Sequence, residues 1–136
     1  MLLDARCAGV LFTENPVTHA REFVIEASYG LGEAVVGGLV TPDQYRVGAD
    51  GRVAEVLVGE KDVMIGLDPG GGTCEEPVPE ELVNVRCLDN VALKRLVELA
   101  MHCQSVFGAR LDIEWAFTRG RQLMLLQARA ITTGGR

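Results

Sequence analysis

Apolar and polar residues alternate in several short stretches of the chain, and this pattern is typical of half-buried β-strands. The clearest stretch is residues 111–117, in which Asp112 and Glu114 alternate with Ile113 and Trp115. Because successive side chains of a strand point to opposite faces, we expect the two carboxylates to share one face. The pattern therefore predicts a strand with one polar and one buried face.

A second strand is predicted over residues 122–129, and a tight turn joins it to the first in a hairpin. Alternation sends four of its side chains to one face, namely Leu123, Leu125, Gln127 and Arg129. Whether this face coincides with the carboxylate face depends on the register of the hairpin.

The turn leaves two registers open. A two-residue turn at residues 119–120, or a four-residue connection, places Asp112 opposite Gln127 and Glu114 opposite Leu125. Glu114 and Gln127 are then diagonal neighbours, about 7–8 Å apart at the backbone, and can share one cation. A three-residue connection with its glycine in the left-handed region puts Gln127 on the other face.

The residue types suggest a chemistry, although a simpler explanation also fits them. The carboxylate of Glu114 and the amide oxygen of Gln127 are hard ligands suited to Mg²⁺, and the guanidinium of Arg129 suits phosphate. On spacing alone, an ordinary half-buried hairpin with a solvated charged face explains the same residues.

The rest of the chain predicts an α+β fold with a largely antiparallel sheet. Apolar residues recur at helical spacing over Asn90–Phe107, with Asp89 as the N-cap and Gly108 after the end. A short helix, Glu33–Val36, follows a glycine-rich turn. Further strands are predicted over residues 8–13, 22–28, 44–47, 53–58 and 61–65. Residues 67–73 are expected to form a loop, and residues 75–81 an exposed acidic segment.

Composition excludes several classes of protein. A chain of 136 residues with 48% hydrophobic and 24% charged residues is typical of one globular domain. Its net charge of -6 argues against nucleic-acid binding. Because it has no long apolar run, no membrane span is expected. The four cysteines lack CxxC spacing, which favours free thiols and a cytoplasmic location.

Three blocks of sequence resemble a known family: GVLFTENPVT from Gly9, VIEASYGLGEAVVGGLVTPDQYRV from Val24, and DIEWAF followed by LLQARAIT near the end. They are similar to the ATP-binding domain, of the ATP-grasp type, of phosphoenolpyruvate synthase, pyruvate phosphate dikinase and rifampicin phosphotransferase. The resemblance implies that residues 1–136 are a partial ATP-grasp domain, its C-terminal portion. The family's N-terminal half of that domain and its phosphohistidine domain are then partners outside this chain.

The resemblance also implies roles for individual residues. Glu114 and Gln127 are expected to hold Mg²⁺ on the phosphates of ATP, and Arg129 to contact a terminal phosphate oxygen as the catalytic cation. Asp112 is expected to support them, with Glu26 and Glu33 at the rim of the nucleotide site.

In the family, ATP phosphorylates a histidine carrier, which passes the phosphoryl group to pyruvate or another acceptor. The isolated chain is expected to be inactive, and a non-catalytic remnant or interaction module is the alternative. Four positions depart from the family pattern. Leu111 replaces glutamine, Ala130 replaces proline, His19 replaces glycine, and the turn before Gln122 is longer by one residue.

Overall fold

The structure is a computed structural model that describes residues 5–108 and 110–131. The described residues form eight strands and two α-helices. The strands are β1 (Ala5–Phe12), β2 (Glu22–Tyr29), β3 (Asp43–Gly48), β4 (Val53–Leu57), β5 (Val63–Leu67), β6 (Thr73–Pro77), β7 (Leu111–Thr118) and β8 (Leu123–Ala130). The helices are α1 (Glu33–Val36) and α2 (Asn90–Phe107), and a 3-10 turn spans Glu80–Leu82.

Six of the strands form one antiparallel sheet in the order β4-β3-β2-β1-β7-β8. The central strand β1 pairs with β2 on one side and with β7 on the other, although β7 lies far along the chain. The predicted α+β class with a largely antiparallel sheet is therefore confirmed.

One face of this sheet packs against α2 and forms the core. Alternate residues of the strands meet a stripe on the helix, and Trp115 and Ile113 are both fully buried there, as the alternation predicts. The helix contributes Leu93, Leu96, Val97, Ala100 and Cys103 to this core. Burial of these apolar side chains is the main source of the stability of the fold.

The two helices have the bounds that the sequence predicts. Asp89 caps α2 by accepting a hydrogen bond from the Ala92 N–H at 2.8 Å, and Gly108 ends the helix in the left-handed conformation. The helical spacing also assigns Phe107 to the buried stripe, but 54% of this last helical residue is exposed. No helix of the described part is long and apolar enough to span a membrane.

A second sheet of two strands, β5 and β6, was predicted only in part. The glycine-rich loop at residues 68–72 joins the strands as a hairpin, so β6 lies where an exposed acidic segment was expected. In β6, exposed residues alternate with half-buried Cys74 and Glu76, but Pro77 and the two successive glutamates obscure this pattern in the sequence. The small sheet joins the rest of the fold through a parallel bridge between Gly30 and Ile65.

Candidate functional site

The second face of the six-stranded sheet points away from α2, and we call it the open face. The strand registers place alternate residues of all six strands on it in transverse rows. One row, the Glu114 row, consists of Leu57, Gln44, Glu26, Val10, Glu114 and Gln127. The adjacent Asp112 row consists of Glu55, Arg46, Val24, Phe12, Asp112 and Arg129.

The hairpin of β7 and β8 brings four of the predicted site residues together. Glu114 lies directly opposite Gln127, and Asp112 lies directly opposite Arg129. This register differs from both that the turn left open, since one of them paired Asp112 with Gln127 and Glu114 with Leu125, and the other put Gln127 on the opposite face. Directly opposed residues of an antiparallel pair have Cβ atoms about 4.5–5.5 Å apart, so the pairing is closer than the predicted diagonal one.

A bulge in β8 produces this register. The connection is three residues long, and its left-handed residue is Arg121, with φ 64°, rather than Gly120. Such a turn alone would place Gln127 on the core face, but the register shifts by one residue between Glu114 and Trp115.

The bulge also changes which residues of β8 share a face. Leu123 packs against the core opposite Phe117, and Leu125 lies opposite Trp115. The predicted grouping of these two leucines with Gln127 and Arg129 is therefore wrong. The extra residue, Leu126, separates the two leucines from the two polar residues.

The four polar residues differ in how they are bonded. Arg129 Nη2 lies 3.3 Å from Asp112 Oδ2. This exposed ion pair holds the guanidinium in the Asp112 row, next to the Glu114 row. The side chain of Glu114 is half-buried, and within the described part of the chain it forms no hydrogen bond or ion pair. The exposed amide of Gln127 is likewise available for a ligand.

The two further predicted residues occupy different positions. Glu26 belongs to the Glu114 row, two strands away across Val10, which corresponds to about 10 Å at the backbone. Glu33 is exposed in the first turn of α1, and among the described residues no side-chain hydrogen bond or ion pair links it to Glu26 or Glu114.

The short helix α1 covers one end of the open face. Leu31, just before the helix, packs against Ala8 and Ala116, which form the row next to Glu114. The N–H groups of Gly30 and Leu31 donate to Arg6 O and Ile65 O. The glycine-rich turn therefore fixes α1 in place, as a purely structural role predicts, and these two N–H groups are not available to a phosphate.

Sequence reasoning missed an ion-pair cluster on the other half of the face. Arg46 donates to Glu55 at 2.8 Å and to Glu22 at 3.0 Å, and Glu22 also accepts from Asn15 at 2.7 Å. The alternation of Gln44 and Arg46 with buried neighbours is the signal that could have revealed it.

The loop after β1 forms the wall of a pocket of about 510 Å³ on this side. It borders Glu26, Val24 and Gln44, so it opens next to the Glu114 row. His19 in this loop has φ 63°, a left-handed conformation that favours glycine. His19 thus adopts a conformation in which the glycine usual in the resembling family would fit without strain. His19 Nδ1 lies 3.1 Å from Glu14 Oε2, and with Arg110 it lowers the pKa of the Glu14 carboxyl.

The oxygen donors around Glu114 suit a hard divalent cation that is also coordinated by oxygens of a bound substrate. The described residues contain no cluster of three or more histidine, cysteine, aspartate or glutamate side chains, so they offer no all-protein metal cage. Magnesium, in contrast, is usually held by one or two carboxylates together with phosphate oxygens of a substrate. Half-buried Glu114, with the opposed amide of Gln127 and nearby Asp112, matches that donor set.

Comparison with known proteins identifies the family. The model of the pyruvate phosphate dikinase AMP/ATP-binding domain matches residues 1–136. A probable phosphoenolpyruvate synthase of Methanothermobacter thermautotrophicus is 43% identical over 98% of this chain and 19% of the relative. An uncharacterized phosphotransferase of Bacillus subtilis is 38% identical over 97% of this chain and 16% of its own length. A prodigiosin synthesizing transferase of Serratia marcescens is 39% identical over 98% of this chain and 15% of its own.

These findings confirm the resemblance but correct its placement. The match is to the N-terminal, nucleotide-binding domain of such enzymes, so the expected C-terminal assignment is not supported. The chain spans less than a fifth of the length of these relatives. The chain therefore belongs to the pyruvate phosphate dikinase AMP/ATP-binding domain family, the ATP-binding part of phosphotransferases similar to phosphoenolpyruvate synthase.

Proposed function

We propose that the open face binds ATP together with Mg²⁺, as part of an ATP-grasp phosphotransferase that phosphorylates a carrier histidine. The carrier then passes the phosphoryl group to pyruvate or another acceptor. The observation that carries this proposal is the direct opposition of Glu114 and Gln127, beside the Asp112–Arg129 pair. Family membership indicates that the ligand is a nucleotide, and the position of these four residues suggests where its phosphates would lie.

The residues of the hairpin have complementary roles in this proposal. Glu114 and Gln127 would hold Mg²⁺, which neutralises phosphate charge when bound. Arg129 would donate to a terminal phosphate oxygen, while its ion pair with Asp112 fixes the orientation of the guanidinium. Phosphoryl transfer depends mostly on positioning and charge neutralisation, and this set of residues can provide both.

The neighbouring elements delimit the site. The α1 segment closes one end of the open face. The pocket beneath the loop after β1 borders Glu26 on the part of the face formed by β2 and β3. Glu26 would therefore lie at the rim of the nucleotide site. Glu33 remains a predicted rim residue on α1.

The charge of the open face makes the cation necessary. Its strands carry five carboxylates, those of Glu22, Glu26, Glu55, Asp112 and Glu114, and two guanidiniums, those of Arg46 and Arg129. Both guanidiniums are already paired with carboxylates. An unaccompanied polyphosphate would be repelled by such a surface, whereas a divalent cation at Glu114 reverses the local sign.

The site can be located by NMR with Mn²⁺-ATP, because paramagnetic Mn²⁺ replaces Mg²⁺ and broadens nearby amide signals most. We expect the strongest broadening at Glu114, Ala116 and Gln127. Glu114→Gln should remove most of it. The matched control is Glu98→Gln, which makes the same change on the exposed side of α2 and should leave the broadening unchanged.

Other outcomes would contradict the proposal. Broadening centred on α2 would place the cation elsewhere. Equal loss in both variants would indicate a general charge effect. The absence of any broadening at millimolar Mn²⁺-ATP would favour the alternative of a non-catalytic module.

A further inference from the structure

A second pocket, distinct from the open face, lies where the N-terminal end of α2 meets the turn between β7 and β8. Its volume is about 420 Å³, and four arginines line it: Arg6, Arg86, Arg95 and Arg121. The other lining residues include Cys87 and Phe117, which belong to the core on the α2 side of the sheet. The pocket is therefore separated from Glu114 by the sheet itself.

Uncharged groups hold three of the four arginines in place. Arg6 Nη1 donates to Cys87 O at 3.5 Å, Arg86 Nε to Leu88 O at 2.6 Å, and Arg95 Nη1 to Arg121 O at 2.9 Å. Aromatic rings support two of them, because Arg86 lies 5.4 Å from the ring centre of Tyr45 and Arg95 5.4 Å from that of Phe117.

Backbone irregularities bring the remaining charges to the pocket. The register of β1 against β7 shifts between Ala5 and Cys7, so Arg6 is the extra residue of a bulge. Arg121 is the left-handed residue of the hairpin turn, with φ 64°. Arginine costs conformational energy at this position, where glycine would fit without strain.

The pocket carries a net positive charge, because its lining contains four guanidiniums and one carboxylate. Among the described residues, none of the four guanidiniums forms an ion pair. Asp89 is the one carboxylate in the lining, and its Oδ1 already accepts the capping hydrogen bond from Ala92 N–H. Four like charges concentrated in one concavity, in a chain with a net charge of -6, create a local field that attracts anions.

We propose that this pocket is a binding site for a small phosphorylated anion. Guanidinium groups bind phosphate in bidentate fashion, and several of them can neutralise a group that carries more than one charge. The volume lies within the range of small-molecule sites and leaves room for an anion larger than a single phosphate, such as a polyphosphate. The first turn of α2, which forms one wall, adds the positive end of the helix dipole.

The test uses pyrophosphate as the probe, with the 136-residue chain at low ionic strength and without divalent cations. Calorimetry gives the affinity, and amide and arginine Nε–H NMR shifts locate the site. We expect shifts at Asn90, Val91 and Arg95, and none at Glu114. Arg95→Gln should weaken binding at least tenfold, as the loss of a charged hydrogen-bond donor does.

Two further variants make the result decisive. Arg121→Gln should also weaken binding about tenfold, and it removes no hydrogen bond that the fold uses. Arg52→Gln is the matched control, because it removes an equal charge from an exposed position outside this pocket and should leave the affinity unchanged. The proposal is overturned if pyrophosphate does not bind, if its shifts map to the open face, or if Arg52→Gln weakens binding as much as the pocket variants do.

Discussion

At the scale of single residues, the buried pair of Asp43 and Lys61 is the least expected feature of the structure. Both side chains are 0% exposed, and Lys61 Nζ lies 2.6 Å from Asp43 Oδ1. The carboxylate also accepts from the N–H groups of Gly59 and Cys87 and from the hydroxyl of Tyr45. These bonds connect β3 to the segments before β5 and before α2.

This pair leads to a prediction about stability. Lys61→Met leaves the Asp43 carboxylate buried without its counter-charge, so the free energy of unfolding should fall by about 3–5 kcal/mol. Urea denaturation followed by circular dichroism measures it. The matched control, Lys94→Met on the exposed side of α2, should change stability by less than about 0.5 kcal/mol. Equal losses in both variants would contradict a special role for the pair.

Trp115 provides a second prediction at this scale. It is fully buried and packs edge-to-face on Phe117, with ring centres 5.8 Å apart, but its Nε1–H has no partner in the described structure. Trp115→Ala should cost about 3–5 kcal/mol in unfolding free energy. Trp115→Phe should cost clearly less, because it also removes an unsatisfied buried donor. Thermal and urea unfolding test this, and a solvent-exposed emission spectrum in the native protein would count against it.

At the scale of elements, the sequence predicted both helices and most strands because their signals are local. The cap at Asp89, the left-handed Gly108 and the apolar spacing between them all act within one segment. The register of β7 and β8 depended instead on which turn residue adopts positive φ and on a bulge at Leu126. Neither leaves a pattern in the sequence, since Arg121 occupies the position where glycine was expected.

Packing between elements gives the third prediction, at Gly9 in the central strand. A Cβ placed there would lie 1.8 Å from Glu26 O, in the backbone of the adjacent β2. Gly9→Ala must therefore force β1 and β2 apart, at a cost of roughly 1–3 kcal/mol or more. Gly120→Ala is the control, because its nearest atom is Thr118 Oγ1 at 3.7 Å. Chemical denaturation of the two variants should differ accordingly, and similar midpoints would refute the close approach.

At the scale of the whole molecule, the two faces of the sheet have different roles. The face that packs against α2 forms the core, and the open face carries the residues of the proposed site. Alternation in the sequence indicated that Asp112 and Glu114 point away from Trp115, and the structure places α2 on the Trp115 side. What alternation could not indicate was the assembly of transverse rows, because Glu26 and Glu114 are joined only through pairing with β1. Alternation in β3 could place Arg46 on the polar face, but its ion pairs with Glu22 and Glu55 also depend on how β3 pairs with its neighbours.

The charge of the open face yields the last prediction, which concerns ATP. Five carboxylates face two guanidiniums that are already paired, so the isolated chain should bind Mg-ATP with a dissociation constant of about 1 mM or weaker. Free ATP should bind at least about tenfold more weakly, because the cation at Glu114 then no longer offsets the repulsion. Calorimetry with and without Mg²⁺ measures both constants, and a phosphate-release assay should detect no turnover. Arg129→Gln should weaken Mg-ATP binding about tenfold or more, since it removes a charged donor to phosphate, whereas Arg52→Gln should not. Micromolar binding by the chain alone, or binding that is insensitive to Mg²⁺, would show that the open face is not organised around a cation at Glu114.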